Sequence, residues 1–539
     1  MSLRRDWAVA AMLAVLLASA VALLLQPPFA FYSPDVSYHT ARIVRSGEGD
    51  WFRDPFAGTF AIYPGLFHAL WGGVQRVTGV DTIRIAKVGG VLNVVATSLA
   101  FFFLALQLTR DRTRASIATL ALGLVLMAPT GRYVLLLNPV NFTLAPLFVS
   151  FALFWRFLDG GRLRDWLIGL ALAGFCVNVN WYQVLCVVGV LAPPALRLWR
   201  TGRLSARVVL SGALAFAVPC LWTALHFWSI RSVVPAYRTV GTDLIPWSIE
   251  LAVVRDCVVT YVTHWNLKFL PQAARSPAAT GLFYAVILPA TAVLLALPPV
   301  ALARPRVRAA IGDGAWLALQ AALGVFLGSL VMTLTHDLGR VAWIQFVSFA
   351  FLLVFAVEAL FAALPARAAA VAAAVLSAGG IACLAYTVLH APGEADETLS
   401  GSTRAVVDFI AAQPGHHDTF VFTTEQSTRR LAPFVSFRTF VNHRDGFYVS
   451  QDPVSSKEML AAYQSILAHH ANAAASLERY GVRFLALRHR DVPGDAQVAA
   501  AYAGETEVAL RNREWVLLRR PARTGSVEDE PGQLSGQGR

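Results

Sequence analysis

Long apolar runs alternate with short basic loops along the first 390 residues. A helix needs about 20 mostly apolar residues to cross a bilayer, because no backbone polar group can stay unpaired in hydrocarbon. By that rule the pattern predicts eleven spans, at residues 7–26, 84–108, 115–130, 138–157, 164–179, 181–198, 206–228, 278–302, 311–333, 341–363 and 366–389. Arg4 and Arg5 precede the first run as in a signal peptide, but its length and the absence of an obvious cleavage site favour an anchor.

The positions of the basic residues predict an orientation. If the N-terminus is cytoplasmic, the basic loops all fall on the cytoplasmic side, as the positive-inside rule requires. These loops are Arg110–Arg114, Arg162–Arg164, Arg197–Arg207, Arg304–Arg308 and the segment at Arg367. The agreement requires that the half-apolar stretch 60–77 does not cross the bilayer. We therefore expect that stretch to form a helix on the outer face, and the segment after residue 390 to be extracytoplasmic.

Composition supports a membrane protein with one appended domain. Of 539 residues, 56% are hydrophobic and 14% are charged, against about 45–50% and 25% in soluble proteins. The net charge of +12 lies mainly in the short loops, so topology explains it and no nucleic-acid partner is expected. The predicted fold class is an α-helical polytopic membrane body at 1–390, followed by a small extracytoplasmic α/β domain at 391–520. Residues 521–539 are rich in Gly, Ser, Glu and Gln and are predicted to be disordered.

The appended domain shows alternating helix and strand signals. The pattern predicts a helix at 403–412, a strand at 419–424, one or two helices within 457–477, a strand at 482–487, and a hairpin of 505–510 with 514–519. It contains no GxGxxG, GxSxG or P-loop motif. We therefore expect it to recognise an acceptor or to shield a site on the membrane body.

A short helix is predicted in the first outer segment, residues 27–83. Ser33 is a good N-cap, Pro34 suits the first helical position, and Asp35 faces the positive end of the helix dipole. Val36, His39, Ile43 and Val44 would form one apolar face that ends at Gly47. Asp35 follows the first span by nine residues, so its carboxylate should lie near the lipid headgroups, with His39 one turn further along the same side. The alternative is that Asp35 only stabilises the helix N-terminus.

This layout resembles a known superfamily. One span, an outer loop with an early Asp on a short helix, and a Tyr-Pro-Gly-Leu-Phe segment at Tyr63–Phe67 are similar to the GT-C integral-membrane glycosyltransferases. The span number and the outer domain are most similar to the actinobacterial arabinofuranosyltransferases that prime galactan. The resemblance implies a polyprenyl-phosphate sugar donor, a glycan or glycolipid acceptor, and Asp35 as the catalytic base. Many relatives carry two adjacent acidic residues where this chain has Asp35-Val36, so no metal ligand is assigned and a role for a divalent metal stays open.

A donor phosphate at the interface needs cationic partners, and a guanidinium matches phosphoryl oxygens in a bidentate geometry. The candidates on the outer side are Arg340, His336, Lys268 and Arg238. Lipid headgroup contact is the alternative for each of them. For the sugar or the acceptor, the candidates are His39, Asn180, Trp181 and Tyr182, although Trp and Tyr are also ordinary interface anchors.

The leading hypothesis is an inverting glycosyltransferase of the bacterial plasma membrane, and the resemblance implies arabinofuranose as the sugar. The first alternative is a transporter or flippase for a lipid-linked glycan. Transporters usually show internal repeats with broken helices near the midplane, a pattern that this sequence does not show. The second alternative is a non-catalytic envelope scaffold whose outer domain binds a protein partner.

Overall fold

The computed structural model of the chain describes residues 2–25, 34–51, 65–126, 137–202, 205–229, 277–333, 338–390, 400–432, 434–440, 453–490 and 493–521. They form two compact units, an all-helical unit between Ser2 and His390 and an α/β unit from Gly401 onward. The predicted fold class, a helical polytopic body with a small C-terminal α/β domain, is confirmed.

The helical unit contains fifteen described α-helices. They are α1 Ser2–Leu25, α2 Pro34–Gly47, α3 Leu66–Thr78, α4 Thr82–Thr109, α5 Arg112–Leu126, α6 Pro139–Gly160, α7 Leu163–Val179, α8 Gln183–Arg200, α9 Ala206–Ser229, α10 Pro277–Leu282, α11 Leu288–Ala303, α12 Pro305–Ala310, α13 Asp313–Thr333, α14 Leu338–Ala363 and α15 Ala366–His390. A π-helical turn, Phe283–Ile287, joins α10 to α11.

Eight membrane-spanning candidates are found among the described residues. They lie on α1, α4, α6, α9, the run from α10 through α11, α13, α14 and α15. The other three predicted spans correspond to α5, α7 and α8. As far as they are described, α5 and α7 have 15 and 17 residues, and at about 1.5 Å per residue they are shorter than the roughly 30 Å hydrocarbon core. The predicted count of eleven spans is therefore not confirmed.

The basic loops gather at one end of the helical unit, which we call the basic end. Three ion pairs join them: Arg110 with Asp159, Arg114 with Glu358, and Arg197 with Asp313. Gly314 in the first turn of α13 also lies against the backbone of Leu108, near the end of α4. Because these basic loops share one end of the unit, the arrangement agrees with the assumption that successive spans cross the bilayer in alternating directions.

Glycines allow several helices to approach closely. A Cβ built on Gly123 of α5 would lie 2.2 Å from the carbonyl oxygen of Gly380 in α15, and one on Gly189 of α8 would lie 2.6 Å from the carbonyl carbon of Gly324 in α13. Close van der Waals contact through small residues is the usual basis of helix association in membranes. A larger side chain at these positions would force the paired helices apart.

Helices α2 and α3 form a pair that does not cross the unit. Helix α2 begins at Pro34 and ends at Gly47, as predicted. Helix α3 has 13 residues and ends at Thr78, and Gly79 caps it in a left-handed conformation with φ 64°. A helix of that length covers about 20 Å, too short to span a bilayer, which agrees with the prediction for 60–77.

Aromatic contacts place α3 at the end of the unit opposite the basic end. The rings of Phe67 and Trp71 lie 5.5 Å and 6.1 Å from the ring of Phe142, in the first turn of α6. Phe142 in turn lies 6.1 Å from Phe175, in the last turn of α7. Since Asp159 belongs to the basic end and lies at the far end of α6, the α2–α3 pair lies at the other end.

The second unit is a small α/β domain. Its elements are α16 Gly401–Ala411, β1 Phe420–Phe422, α17 Glu425–Leu431, α18 Pro453–Leu467, α19 Ala473–Arg479, β2 Val482–Arg488, α20 Pro493–Ala501, β3 Glu507–Arg511 and β4 Trp515–Arg519. The sheet order is β1-β2-β4-β3, with β1 and β2 parallel and the other pairs antiparallel. The predicted strands and hairpin are found here, whereas the short helices α17 and α20 were not predicted.

A buried carboxylate connects three elements of this unit. Asp495 is fully buried and accepts hydrogen bonds from the hydroxyls of Thr424 (2.6 Å) and Ser427 (2.5 Å) and from the backbone N–H of Arg488 (2.8 Å). Burial raises its pKa above the ordinary value, although these hydrogen bonds oppose the effect. The bonds hold the start of α20 and the start of α17 against the end of β2, so Asp495 has a structural role.

Candidate functional site

Helix α2 is enclosed along its C-terminal half. The sequence pattern predicted a single apolar face, yet every residue from His39 to Ser46 is buried, including Arg42 and Arg45 at 0% exposure. The prediction of one buried face is therefore wrong for this half of the helix. Packing against α3 and the ends of the longer helices covers the polar side as well, which a periodicity argument does not anticipate.

A histidine pair joins α2 to α3. Nδ1 of His39 and Nε2 of His68 lie 2.9 Å apart, and the two residues are 5% and 0% exposed. Their rings stack with centroids 5.1 Å apart. Burial lowers the pKa of His68 well below its ordinary value, and the positive charge of Arg42 and the neighbouring His39 lower it further. His68 is therefore neutral at pH 7.

Arg42 is a buried cation with no partner among the described residues. None of its three guanidinium nitrogens makes a hydrogen bond, although the whole side chain is sealed from solvent. Burying a charge costs several kcal/mol in a real protein unless the charge is paired and hydrogen-bonded. The guanidinium therefore offers five free N–H donors in a low-dielectric setting, which strongly favours an anion.

A second arginine on the same helix behaves differently. Nε of Arg45 lies 3.0 Å from Oδ2 of Asp50, and that carboxylate is about a quarter exposed. Arg45 thus has its counter-charge from the loop that follows α2. The contrast shows that α2 pairs one of its two buried arginines within the described fold and leaves the other available.

The start of α3 lies against Arg42. Gly65 is the N-cap residue of α3, and as a glycine it has no side chain that could cap the helix. A Cβ on Gly65 would lie 2.6 Å from the carbonyl oxygen of Trp51 and 3.2 Å from Nη2 of Arg42, so only glycine fits this approach. The N-terminus of a helix carries partial positive charge and free N–H groups that attract anions. Together His39, Arg42, Gly65 and His68 form what we call the Arg42 cluster, and its chemistry suits a phosphoryl group.

Two polar amide side chains, Asn178 and Asn180, lie at the junction of α7 and α8, which we call the amide junction. Asn178 and Asn180 are each 1% exposed, and the Nδ2 atom of each has no hydrogen-bond partner among the described residues. Their Oδ1 atoms accept from Thr223 and from the N–H of Tyr182, respectively. Buried amide donors left without a partner cost about 1–3 kcal/mol each, so this junction also has unused capacity for a polar ligand.

Aromatic rings connect the junction to the α2–α3 pair. The ring of Trp51 lies 6.2 Å from that of Trp222, the residue before Thr223. Trp181 is 40% exposed and its ring lies 4.2 Å from the ring of Tyr182. The Arg42 cluster and the amide junction therefore lie at the same end of the helical unit.

The predicted site residues have different outcomes. Asp35 lies in the first turn of α2, one turn before His39, and Arg340 lies in the first turn of α14; the side chains of both are outside the described structure. His336, Lys268 and Arg238 also lie outside the described residues. The phosphate-binding assignment of these four cationic residues is untested and stays a prediction.

Sequence reasoning missed Arg42 and gave His68 no role. The sequence contained a signal for each of these two residues. An arginine in an outer segment runs against the positive-inside bias, and His68 lies in a half-apolar helix. Arg42 is not part of the apolar face predicted for α2, and a solvated residue is the ordinary expectation outside that face. Only the packing of α3 on α2 shows that Arg42 is buried and unpaired.

Comparisons with known proteins support the fold. No protein-family model and no curated protein sequence matches the chain. Among solved structures, ArnT from Cupriavidus metallidurans bound to undecaprenyl phosphate matches with a TM-score of 0.57 and 13% identity, over 97% of this chain and 100% of that chain. The Archaeoglobus fulgidus oligosaccharyltransferase matches with a TM-score of 0.52 and 12% identity, over 88% of this chain and 69% of that chain.

A third similar structure is the arabinofuranosyltransferase AftD from Mycobacteria, with a TM-score of 0.54 and 15% identity over 90% of this chain. The match covers 36% of AftD, so this chain corresponds to about a third of that protein. These neighbours are GT-C glycosyltransferases, and at such low identities the likeness shows a shared fold. The GT-C resemblance inferred from the sequence is confirmed at that level.

Proposed function

We propose that this protein is a membrane glycosyltransferase that moves a sugar from a polyprenyl-phosphate donor to an extracytoplasmic cell-envelope glycan or glycolipid, with inversion at the anomeric carbon. The observation that carries the proposal is Arg42, a fully buried guanidinium without a partner among the described residues, beside the N-terminus of a short helix. The GT-C fold supports the reaction class. Arabinofuranose is the first sugar to test, because of the layout noted in the sequence and the likeness to AftD.

In this proposal the donor phosphate binds against Arg42 and the first turn of α3. The donor is a phosphodiester with one negative charge, and the departing polyprenyl phosphate gains a second charge as the bond to the sugar breaks. A buried cation stabilises that developing charge more than it stabilises the ground state, and such differential stabilisation accelerates the reaction. Arg340, His336, Lys268 and Arg238 remain proposed as further contacts to the same phosphate.

Asp35 is the proposed general base. Its carboxylate takes the proton of an acceptor hydroxyl, the hydroxyl oxygen attacks the anomeric carbon, and polyprenyl phosphate leaves with the bonding electrons. The position of Asp35 supports this role, since it lies in the first turn of α2 and one turn before His39, on the helix that also carries Arg42. General-base catalysis contributes about 10²–10⁴ in rate.

The amide junction is the proposed binding surface for the sugar or the acceptor. The Nδ2 groups of Asn178 and Asn180 are donors that suit sugar hydroxyl oxygens, and the exposed ring of Trp181 offers a face on which a sugar ring can stack. Tyr182 packs behind Trp181 and orients it. His39, predicted from the sequence as a contact to the sugar or the acceptor, stays a proposed contact.

The test is sugar transfer by the purified full-length protein in lipid nanodiscs, followed as release of polyprenyl phosphate from a labelled donor. Asp35→Asn should lower turnover at least 100-fold while donor binding is kept, and Arg42→Gln should weaken donor binding. Glu48→Gln changes an exposed carboxylate close in sequence to Asp50 and serves as the matched control with unchanged turnover.

Near-normal turnover by the Asp35→Asn variant would refute the assigned base. A transporter or flippase predicts movement of the intact donor between leaflets with no cleavage of the sugar–phosphate bond. A scaffold predicts neither cleavage nor movement. The same labelled donor therefore separates all three hypotheses.

A further inference from the structure

We propose that Trp51 is the surface on which the sugar of the polyprenyl-phosphate donor stacks, beside the phosphate at Arg42. This inference rests on the proposed function and adds to its site a residue that the sequence pattern did not single out. The observation that carries it is a juxtaposition. A tryptophan that is 43% exposed adjoins, through its main chain, a buried guanidinium without a partner among the described residues.

Trp51 lies just beyond the end of α2 and reaches Arg42 through its backbone. The carbonyl oxygen of Trp51 and Nη2 of Arg42 lie 2.6 Å and 3.2 Å from one point, the position of a Cβ built on Gly65. In a sugar phosphodiester, a single bridging oxygen separates the phosphorus from the anomeric carbon. A donor whose phosphate contacts Arg42 therefore carries its sugar within reach of the Trp51 side chain.

The loop that carries Trp51 is held to the last turn of α2. The backbone N–H of Asp50 donates to the carbonyl oxygen of Arg45 at 3.2 Å, and the Asp50 carboxylate pairs with Nε of Arg45 at 3.0 Å. The N–H of Gly49, which has φ 101°, donates to the carbonyl oxygen of Ser46 at 3.1 Å. Glycine adopts such a conformation at little cost. Trp51 is thus presented on an ordered segment, so binding a ligand there costs little further ordering.

The indole ring of Trp51 is fixed along its N–H edge. Nε1 donates to the carbonyl oxygen of Ser46 at 3.1 Å, and the ring lies 6.2 Å from the ring of Trp222 at an angle of 44°. A tryptophan that anchors a protein at the membrane interface typically turns its N–H towards the wet side. Here the backbone already satisfies the N–H, so interface anchoring does not account for the orientation. What stays exposed is an apolar ring surface, which suits the C–H face of a sugar.

A hydrogen-bond donor for the hydroxyls of the same sugar follows from Trp222. The next residue, Thr223, donates its hydroxyl to Oδ1 of Asn178, and Nδ2 of Asn178 has no partner among the described residues. An aromatic surface with a few fixed polar groups is the usual composition of a small-molecule site. The donor sugar then stacks on Trp51 and accepts a hydrogen bond from Asn178, with its phosphate at Arg42.

The test is a calorimetric titration of the full-length protein in lipid nanodiscs, without acceptor, using farnesyl phosphodiesters of two kinds. One kind carries arabinofuranose, mannopyranose or glucopyranose on the phosphate, and the other carries a methyl group. All of them have the same chain and the same single negative charge, so a difference in Kd measures what the sugar adds. We expect at least one sugar to tighten binding about tenfold or more over the methyl probe, as burial of a tryptophan against a ligand commonly does.

Trp51→Ala should lose this sugar-dependent gain and still bind the methyl probe as the wild type does. The comparison of two proteins with two probes isolates the contact between Trp51 and the sugar. Trp51→Phe keeps an aromatic ring without the N–H and should retain most of the gain. Trp199→Ala is the matched control, because Trp199 is 69% exposed and lies in the last turn of α8, at the basic end. It should bind both kinds of probe as the wild type does.

Two results would overturn the role of Trp51 and leave the glycosyltransferase proposal intact. In the first, the wild type binds every sugar probe no more tightly than the methyl probe, or Trp51→Ala keeps the gain. In the second, Trp51→Ala and Trp51→Phe weaken both kinds of probe equally, which means that Trp51 only supports the fold around Arg42. Failure of the wild type to bind any of the phosphodiesters would instead overturn the proposed phosphate site, and this inference with it.

Discussion

Replacement of Arg42 by methionine should stabilise the ligand-free protein while it removes donor binding. Methionine keeps most of the aliphatic stem and loses the charge, so the packing volume around α2 is nearly preserved. Arg42 is fully buried and its three guanidinium nitrogens make no hydrogen bond among the described residues. The substitution therefore removes a desolvation penalty without breaking a described interaction.

The expected change in the free energy of unfolding follows from two opposing terms. The effective penalty for a buried ion is several kcal/mol, and apolar replacement of buried ionic groups stabilises proteins by about 1–4 kcal/mol. On the ligand side, a donor analogue at one hundred times its Kd adds about 2.7 kcal/mol to the wild type. We expect Arg42→Met to be more stable than the wild type without ligand and to gain almost nothing when the analogue is added.

Arg45→Met is the matched comparison on the same helix. Arg45 is equally buried but forms an ion pair with Asp50 at 3.0 Å. Removing one partner of a buried pair costs up to about 3–5 kcal/mol, and partial exposure of the Asp50 carboxylate lowers that figure. Two buried arginines three residues apart should therefore respond to the same substitution with opposite signs.

A thiol-reactive fluorophore gives the readout, because Cys176, Cys186 and Cys383 are buried in the helical unit and form no disulfide. With Cys220 and Cys257 replaced by Ser, these buried thiols react only as that unit unfolds, so the dye reports its thermal midpoint with and without the donor analogue. A lower midpoint for Arg42→Met in the absence of ligand would refute the argument that the charge is an uncompensated cost. A ligand-induced rise equal to that of the wild type would refute the phosphate assignment.

Three further substitutions test the packing around the site and in the second unit. Gly65→Ala places a Cβ 2.6 Å from the carbonyl oxygen of Trp51. The backbone beside Arg42 must then shift, and we expect donor-analogue binding to weaken by about tenfold or more in a titration. Gly73→Ala is the control and should bind normally, because a Cβ there meets nothing within 4 Å. Asp495→Ala removes the acceptor of three buried hydrogen bonds and should destabilise its unit by about 3 kcal/mol, seen as faster amide exchange in β2, whereas Asp495→Asn should cost clearly less. Gly123→Leu drives a side chain into the backbone of α15 and should reduce the yield of folded protein in size-exclusion chromatography, and normal yield would contradict the close approach of these helices.

The sequence determined most of the secondary structure because each element carries its own periodic signal. Apolar runs predicted the long helices, and strand signals with turn residues predicted β1, β2 and the β3–β4 hairpin. The bounds of α2 followed from Pro34, whose ring presets φ for the first helical position, and from Gly47, because glycine has low helix propensity. Likewise, the positions of the basic loops predicted that the stretch 60–77 does not cross the bilayer.

Tertiary structure alone decided the chemistry of the α2–α3 pair. A helical pattern distinguishes an apolar face from a polar face, but it does not show which polar side chains another element will cover. Arg42 became a buried and unpaired cation because α3 packs on α2, and His39 met His68, 29 residues away, through the same contact. Burial, charge proximity and hydrogen bonding between distant residues are properties of packing, so the residues that we assign to phosphate binding emerge only when the two helices are placed together.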